Sequence, residues 1–140
     1  MKSFAKFSAL LLMVAFFATA CGKYEEGPKF SLASKKARIV NTWVINEVLV
    51  DNVAQKLTEE EKKITTEFKK DNTVVTSFGG VSFTAEWELS DDKESIITKA
   101  TIGGVSSTTS SKILRLKSNE MWLEGVDGNI KTVTKYESKK

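Results

Sequence analysis

Histidine is missing from this chain of 140 residues, and cysteine occurs once, at Cys21. Without histidine the chain lacks the commonest metal ligand and a common general base. A single thiol allows neither an internal disulfide nor a cluster of thiolate metal ligands. These absences exclude zinc sites and nucleophiles of the Ser-His or Cys-His type, so we expect no metal and no cofactor. Carboxylates remain as possible acid–base groups. Glu59, Glu60 and Glu61 are consecutive, however, and adjacency does not give two carboxyl groups the different environments that an acid–base pair needs. We therefore expect no enzyme.

An excess of one charge is missing as well. The chain has 21 basic and 18 acidic residues, a formal net charge of +3. No basic face is indicated, and we therefore expect no nucleic-acid partner. A helix that spans a membrane needs about 20 apolar residues, whereas the apolar run at 9–18 is only half that long.

The first 20 residues have the pattern of an export signal. Two lysines precede the apolar run 9–18, and the small residues Ala-Thr-Ala at 18–20 lead to Cys21. This order is typical of a segment that is removed after export. Its end resembles a bacterial lipobox, with Ala18 where leucine is usual. We expect residues 1–20 to be a lipoprotein signal peptide.

Cys21 supplies the chemistry that a lipid anchor needs. Its sulfur is nucleophilic enough to accept a diacylglyceryl group, and cleavage before it frees an amine for further acylation. Two or more acyl chains hold a protein on a membrane stably, whereas one does so only marginally. We therefore expect a cell-envelope protein that is lipid-anchored to the outer membrane through Cys21, on its periplasmic or its outer surface. The alternatives are ordinary secretion after cleavage at the same place and an uncleaved anchor.

Residues 21–30 are predicted to be the lipidated cysteine and a flexible tether, because this stretch is mostly polar and holds Pro28, the single proline. Residues 31–140 are predicted to form one domain, which is enough chain for one hydrophobic core. A short helix is predicted at 34–40, with Ser34 or Ser31 as the cap of its first turn.

Beyond this helix, apolar and polar residues alternate with period 2 between turn dipeptides, which indicates strands. Short sequential connections make neighbouring strands antiparallel. Eight such strands can close into an up-and-down barrel, which removes both exposed edges. We therefore predict an all-β fold, an eight-stranded antiparallel up-and-down barrel, with an open meander sandwich as the alternative. The predicted strands are 43–50, 63–70, 73–78, 81–89, 95–102, 106–117, 120–126 and 130–137.

The register of the third and fourth predicted strands follows from the turn between them. Gly79-Gly80 suits a two-residue turn that needs positive φ. It pairs Phe78 with Val81 and Val74 with Ala85, so that every apolar partner lies on one face. A slip of one residue would move all of these side chains to the other face.

The last three strands are predicted in the same way. A turn at 118–119 places Leu116 opposite Met121 and Leu114 opposite Leu123, all pointing inward. A second turn, at Asp127-Gly128, places opposite charges together on the outer face, where they stabilise the sheet.

Two features of these strands remain open. On the outer face Arg115 falls opposite Trp122, which allows a cation–π contact. The alternation fails at 106–111, where nearly every residue is Ser or Thr. Either a bulge resets the register there, or hydroxyl groups line part of the interior, or the strand is simply exposed.

Seven segments form an ordered series along the chain: 23–28 (KYEEGP), 34–38 (SKKAR), 41–43 (NTW), 68–73 (FKKDNT), 85–94 (AEWELSDDKE), 113–116 (ILRL) and 121–123 (MWL). In this order they resemble the lipocalin-like domain lipoproteins of Gram-negative bacteria. The resemblance implies a lipocalin-like barrel in which Trp43 plugs the closed end, with Asn41 where lipocalins have glycine. It also makes Arg115 a candidate partner for Trp43.

A binding module is the leading functional hypothesis. Eight-stranded barrels hold either packed side chains or one small ligand. We expect the barrel to hold a small apolar or amphipathic molecule, and the alternative is that the same side chains fill a solid core. The predicted cavity or core residues are Trp43, Phe68, Phe78, Phe83, Trp87, Leu114, Met121 and Tyr136.

The second hypothesis is a structural or protein-interaction module of the envelope, whose outer face or loops bind a partner protein. Its candidate surface is the charged connection at 51–63. That connection could equally act as a lid over the barrel mouth or be a solvated loop.

Overall fold

The computed structural model describes residues 34–140. The predicted signal peptide, the tether and Cys21 lie outside the described residues. The described chain begins with a short helix, α1 (Lys35–Ile39), whose first turn is capped as predicted by Ser34. The Ser34 hydroxyl accepts a hydrogen bond of 3.1 Å from the backbone N–H of Ala37. Among residues 34–140, no helix has the length and apolar character needed to cross a bilayer.

Strands make up most of the remaining chain, as the two-residue alternation predicts. A 3-10 turn, Glu61–Lys63, precedes the third strand. The strands are β1 (Thr42–Val50), β2 (Val53–Ala54), β3 (Thr65–Phe68), β4 (Thr73–Phe78), β5 (Val81–Leu89), β6 (Ser95–Ile102), β7 (Val105–Leu116), β8 (Glu120–Asp127) and β9 (Ile130–Ser138).

The strands form one closed antiparallel sheet. From β3 onward each strand pairs with the next one in the chain, β1 pairs with β3, and β9 returns to pair with β1. The two-residue strand β2 pairs only with the last two residues of β1 and takes no part in closing the barrel. Eight strands therefore close into an up-and-down barrel, which confirms the predicted fold and excludes the open meander.

The β4–β5 hairpin has the predicted register. Phe78 pairs with Val81 and Val74 with Ala85. Both glycines of the intervening turn have positive φ, +56° at Gly79 and +82° at Gly80, which glycine adopts without steric cost. The turn chemistry and the apolar alternation therefore agree on one pairing.

The prediction for Leu114 is wrong by one residue. A β-bulge interrupts the β7–β8 pairing between Ile113 and Arg115, so that Ile113, not Leu114, pairs with Leu123. Ile113 is fully buried, whereas Leu114 is only partly buried. A bulge adds one residue to one strand and resets its alternation locally. Both neighbours are large and aliphatic, so composition alone did not reveal where the extra residue lies.

The predicted β8–β9 turn is also displaced by one residue. Asp127 pairs with Ile130, and the turn is Gly128-Asn129 rather than Asp127-Gly128. Gly128 has a φ of +59°, whereas Asn129 is not among the described residues with positive φ. This is the pattern of a type II′ turn, which has glycine at its first central position. Each pairing shifts by two residues, so the predicted inner and outer faces are unchanged.

Helix α1 and the first residues of β1 close one end of the barrel. Trp43 is fully buried, and its indole N–H donates a 2.9 Å hydrogen bond to the carbonyl of Ile39 at the end of α1. Arg38 donates to the carbonyl of Leu116 at 2.9 Å and so ties the helix to the end of β7. The arginine beside this closed end is therefore Arg38, and the implied role of Arg115 as partner of Trp43 is wrong.

Arg115 lies on the outer face, as the strand alternation predicts. Its guanidinium is 5.0 Å from the ring centroid of Trp122, and the Lys135 ammonium is 4.4 Å from the same ring. Arg115 donates to the Glu120 carboxylate at 2.8 Å. Burial would raise the pKa of Glu120, but hydrogen bonds and positive charge from Arg115 and Lys117 outweigh it, and the pKa is lowered. These contacts stabilise the outer wall.

Candidate functional site

The two ends of the barrel differ. At the closed end lie α1 and Trp43, and at the opposite, open end lie four hairpin turns. Three of these turns contain glycine, at 79–80, 103–104 and 128–129, and the fourth is Asp51-Asn52 between β1 and β2. Asp51 and Asn52 both have positive φ, as in a tight two-residue turn. This hairpin was not predicted; it replaces the first part of the expected loop 51–63.

A cavity of about 580 Å³ occupies the open half of the barrel. Its deeper wall comprises the core side chains Phe68, Val74 and Ile96, and Phe83 and Ile102 stand at its mouth. The complete lining is Ile45, Ile64, Thr66, Phe68, Val74, Thr76, Ser82, Phe83, Thr84, Ala85, Ile96, Thr98, Ala100, Thr101, Ile102, Ser111, Leu123 and Tyr136.

The lining is apolar with scattered hydroxyl groups, and within the described part of the chain none of its residues carries a formal charge. Tyr136 adds a phenol whose pKa is raised by burial, against the opposing effect of a hydrogen bond with Thr134. The phenol therefore stays protonated at neutral pH and can donate a hydrogen bond. Such a wall accepts an apolar body and can also bind a neutral polar group.

The serine- and threonine-rich stretch contributes to this wall at one point. The β6–β7 pairing continues without a break from Ser95↔Lys112 to Ile102↔Val105, so no bulge resets the register there. Residues 106–110 are exposed, and Ser111 lines the cavity. Most of the stretch is thus an exposed strand, and one hydroxyl group belongs to the interior.

The barrel wall is open between two strands near the mouth. The β5–β6 pairing runs from Leu89↔Ile96 to Glu86↔Lys99 and ends there. Toward the open end, β5 keeps its pairing with β4, and β6 keeps its pairing with β7. An outer cleft lies over this point, and Thr84, Ala85 and Thr101 line both the cleft and the inner cavity.

The structure divides seven of the eight predicted site residues into three groups. Phe68, Phe83 and Tyr136 line the cavity. Phe78 lies in the rim at the open end and is 48% exposed. The other buried members form the core toward the closed end: Trp43, Trp87 and Met121.

Trp87 packs edge-on against Phe68, with ring centroids 5.2 Å apart and an interplanar angle of 88°. Its indole N–H donates to the carbonyl of Lys69 at 3.1 Å. This geometry gives Trp87 a structural role below the cavity, since aromatic pairs of this kind stabilise a core. Leu114, the remaining prediction, lies at the bulge in β7.

The predicted set lacked a wall that β6 provides. Ile96, Thr98, Ala100 and Ile102 all line the cavity. Their spacing of two residues is a visible signal of one strand face. Thr98 and Ala100 are small, and the predicted set was limited mainly to large aromatic side chains, so this strand face was missed.

Comparisons with known proteins bear on the fold of this chain. No protein-family model matches this chain, and no curated protein matches it by sequence. Among solved structures, the chain is similar to insecticyanin from the tobacco hornworm Manduca sexta, with a TM-score of 0.56 and 15% sequence identity. The match covers 84% of this chain and 68% of insecticyanin. A likeness at this identity shows the fold: a lipocalin-like barrel of eight antiparallel strands with a short N-terminal helix.

Proposed function

We propose that this lipocalin-like barrel binds a small apolar or amphipathic molecule in its open-ended cavity, as an envelope lipoprotein anchored through Cys21. The observation that carries the binding proposal is the uncharged cavity of about 580 Å³. Ligand cavities in proteins span about 300–1,000 Å³ and combine apolar walls with a few polar groups. A solid core, the alternative prediction for a barrel of this size, would leave no such space.

The lining also indicates how a ligand would be oriented. Its deeper part is formed by Phe68, Val74 and Ile96, which are almost completely buried, so an apolar group gains most by lying there. Hydroxyl groups of Thr84 and Thr101 lie where the wall opens. A polar group of the ligand would remain there, in contact with water, and would avoid the cost of burial without a hydrogen-bond partner.

Native mass spectrometry of the protein extracted from its own membrane tests the cavity. We expect a fraction of the protein to carry one additional neutral or amphipathic molecule that is lost on denaturation. A covalent lipid on Cys21 would persist on denaturation, so the two additions are distinguishable. Complete absence of the non-covalent addition, together with no thermal shift from a mixture of membrane lipids, would contradict ligand binding.

Replacing the predicted lipidation residue tests the anchor. In Cys21→Ser no thioether to a diacylglyceryl group can form, and the acyl chains that hold the protein on the membrane are absent. After a carbonate wash, which also strips proteins bound only at the bilayer surface, we expect the variant to move from the membrane pellet to the soluble fraction. Otherwise we expect it to accumulate unprocessed. A matched variant, Thr19→Ser, should stay in the pellet. Processed Cys21→Ser protein that remains in the washed pellet would refute anchoring by Cys21.

A further inference from the structure

The open end of the barrel carries an apolar rim. Within residues 34–140, eight large apolar side chains are exposed, by 48–72% of their surface. All of them lie in or beside the hairpin turns of the open end, on six strands besides β2. They are Val53, Phe78, Val81, Phe83, Ile102, Val105, Val126 and Ile130.

Five of these side chains belong to the tips of two neighbouring hairpins, and these tips carry no charge. The sequence from 73 to 85, which covers the tip of β4–β5, contains no acidic or basic residue, and neither does the sequence from 100 to 111 at the tip of β6–β7. The first charged residues below the tips are Glu86 and Lys99, which pair with one another across the sheet. The five residues of β5 above Glu86 extend about 16 Å at the usual rise of a strand.

Large exposed apolar patches mark binding surfaces for membranes or for other proteins. We propose that these two tips, which we call the docking tips (Phe78, Val81, Phe83, Ile102 and Val105), insert into the interface of an uncharged lipid bilayer. Apolar side chains gain free energy from burial in the boundary between headgroups and acyl chains, about 5–10 Å deep. The charge-free length of the hairpins exceeds this depth.

Four hydroxyl groups of the docking tips are hydrogen-bonded in pairs, which lowers their cost of leaving water. On the outer face the hydroxyl groups of Ser77 and Ser82 hydrogen-bond to one another at 2.8 Å. Thr101 and Ser106 form the equivalent pair across the other turn, at 2.9 Å. A hydroxyl group that already has a partner loses less on transfer from water than one that has none.

A lipid surface fits these tips better than a folded partner does. The tips project from the barrel as turns and carry no charged side chain. Charges across a protein–protein interface usually fix the orientation of the partner, and these tips lack that means. The opening in the barrel wall also lies between the same two hairpins. A bilayer in contact with them therefore adjoins the apolar cavity, and acyl chains match both surfaces.

The position of the predicted anchor is compatible with this arrangement. Ser34, the first described residue, is at the closed end, and 12 residues separate it from Cys21. A chain of that length spans up to about 40 Å, which is as long as β7, a strand of 12 residues. The tips can therefore reach the bilayer that holds the anchor.

Binding to neutral vesicles tests the proposal. The chain from residue 21 with Cys21→Ser contains every strand of the closed barrel and no acyl group. We expect it to co-sediment with phosphatidylcholine vesicles, and to do so equally at about 1 M salt, where charges are screened beyond about 3 Å. The double variant Ile102→Asp/Val105→Asp should bind about tenfold more weakly or worse, because it places two charges in the inserted segment.

The variants are chosen so that a folding defect is recognisable. Ile102 and Val105 are 69% and 72% exposed, so their replacement should leave the circular dichroism spectrum almost unchanged. Because the two positions pair across the strands, repulsion between the two carboxylates should lower the Tm by a few degrees at most. Val126→Asp is the matched control: it is 65% exposed at the same end, but on the β8–β9 hairpin beside Asp127. It should retain vesicle binding within about twofold, as expected of a surface change remote from the contact.

Three outcomes would overturn the proposal. They are an equal loss of binding in Val126→Asp, a loss of wild-type binding at high salt, and a dimer in sedimentation analysis that Ile102→Asp/Val105→Asp dissociates. The last result would assign the tips to a second copy of the chain. A ligand retained in native mass spectrometry depends on the cavity alone, so the cavity proposal and the docking proposal can fail separately.

Discussion

Trp43→Ala is expected to lower the free energy of unfolding by about 3–5 kcal/mol, the usual cost of deleting a buried aromatic side chain. Trp43 is fully buried and belongs to the cluster that includes Ile39, Leu116 and Met121. Truncation leaves a cavity at the closed end and removes the donor to the Ile39 carbonyl. For a domain of this size, about half of the total stability is at stake.

Urea denaturation of the chain from residue 21 measures this effect. Trp43→Phe is a milder change: it keeps a buried six-membered ring and loses the rest of the indole with its N–H, for an expected cost of about 1–3 kcal/mol. Trp122→Ala is the control on the outer wall, where Trp122 is half-buried between Arg115 and Lys135. If Trp43→Ala cost no more than Trp122→Ala, the closed end would not depend on Trp43.

The agreement between sequence and structure is best where turn chemistry and alternation act together. In the β4–β5 hairpin, Gly79-Gly80 requires a tight turn, and only one register then keeps Val74, Phe83 and their partners on one face. Two independent local constraints thus determine the same pairing. Closure into a barrel follows from these pairings, because an alternating sheet of eight short-linked strands hides its apolar face by curving onto itself.

The disagreements arise where one of these constraints is absent. At β7 two large aliphatic residues, Ile113 and Leu114, are adjacent, and alternation cannot say which one the bulge turns outward. At the β8–β9 turn both Asp127-Gly128 and Gly128-Asn129 are reasonable turn dipeptides, and the inner face is the same for both. In both cases the backbone geometry of the folded chain, and not the sequence pattern, decides between the two possibilities.

The cavity was the least predictable feature. An inward position is readable from alternation, but whether the inward side chains fill the barrel depends on their summed volume at each level. Toward the closed end Trp43, Trp87 and Met121 pack into a solid core. Toward the open end the inward side chains of β6 are small, Thr98 and Ala100, and space remains.

Ala100→Trp is expected to weaken ligand binding at least about tenfold, which corresponds to about 1.4 kcal/mol. Ala100 lines the cavity, so an indole ring at this position occupies space that a ligand needs. Because that space is empty, the change should cost less than about 1.5 kcal/mol of stability, in contrast to overpacking of a filled core. Titration with Nile red, an uncharged apolar dye, measures the affinity.

Thr108→Trp provides the matched control. Thr108 pairs with Lys99, the residue before Ala100, and is exposed on the outer side of the sheet, where it borders the outer cleft but not the cavity. An indole ring there adds the same apolar surface and leaves the interior unchanged, so Nile red affinity should stay within about twofold of the wild type. Equal affinity of the dye for the wild type and for Ala100→Trp would instead place the binding site outside the barrel. If binding is weakened only in Ala100→Trp, and the two variants have a similar Tm, the affinity depends on the volume that the small β6 side chains leave inside the barrel.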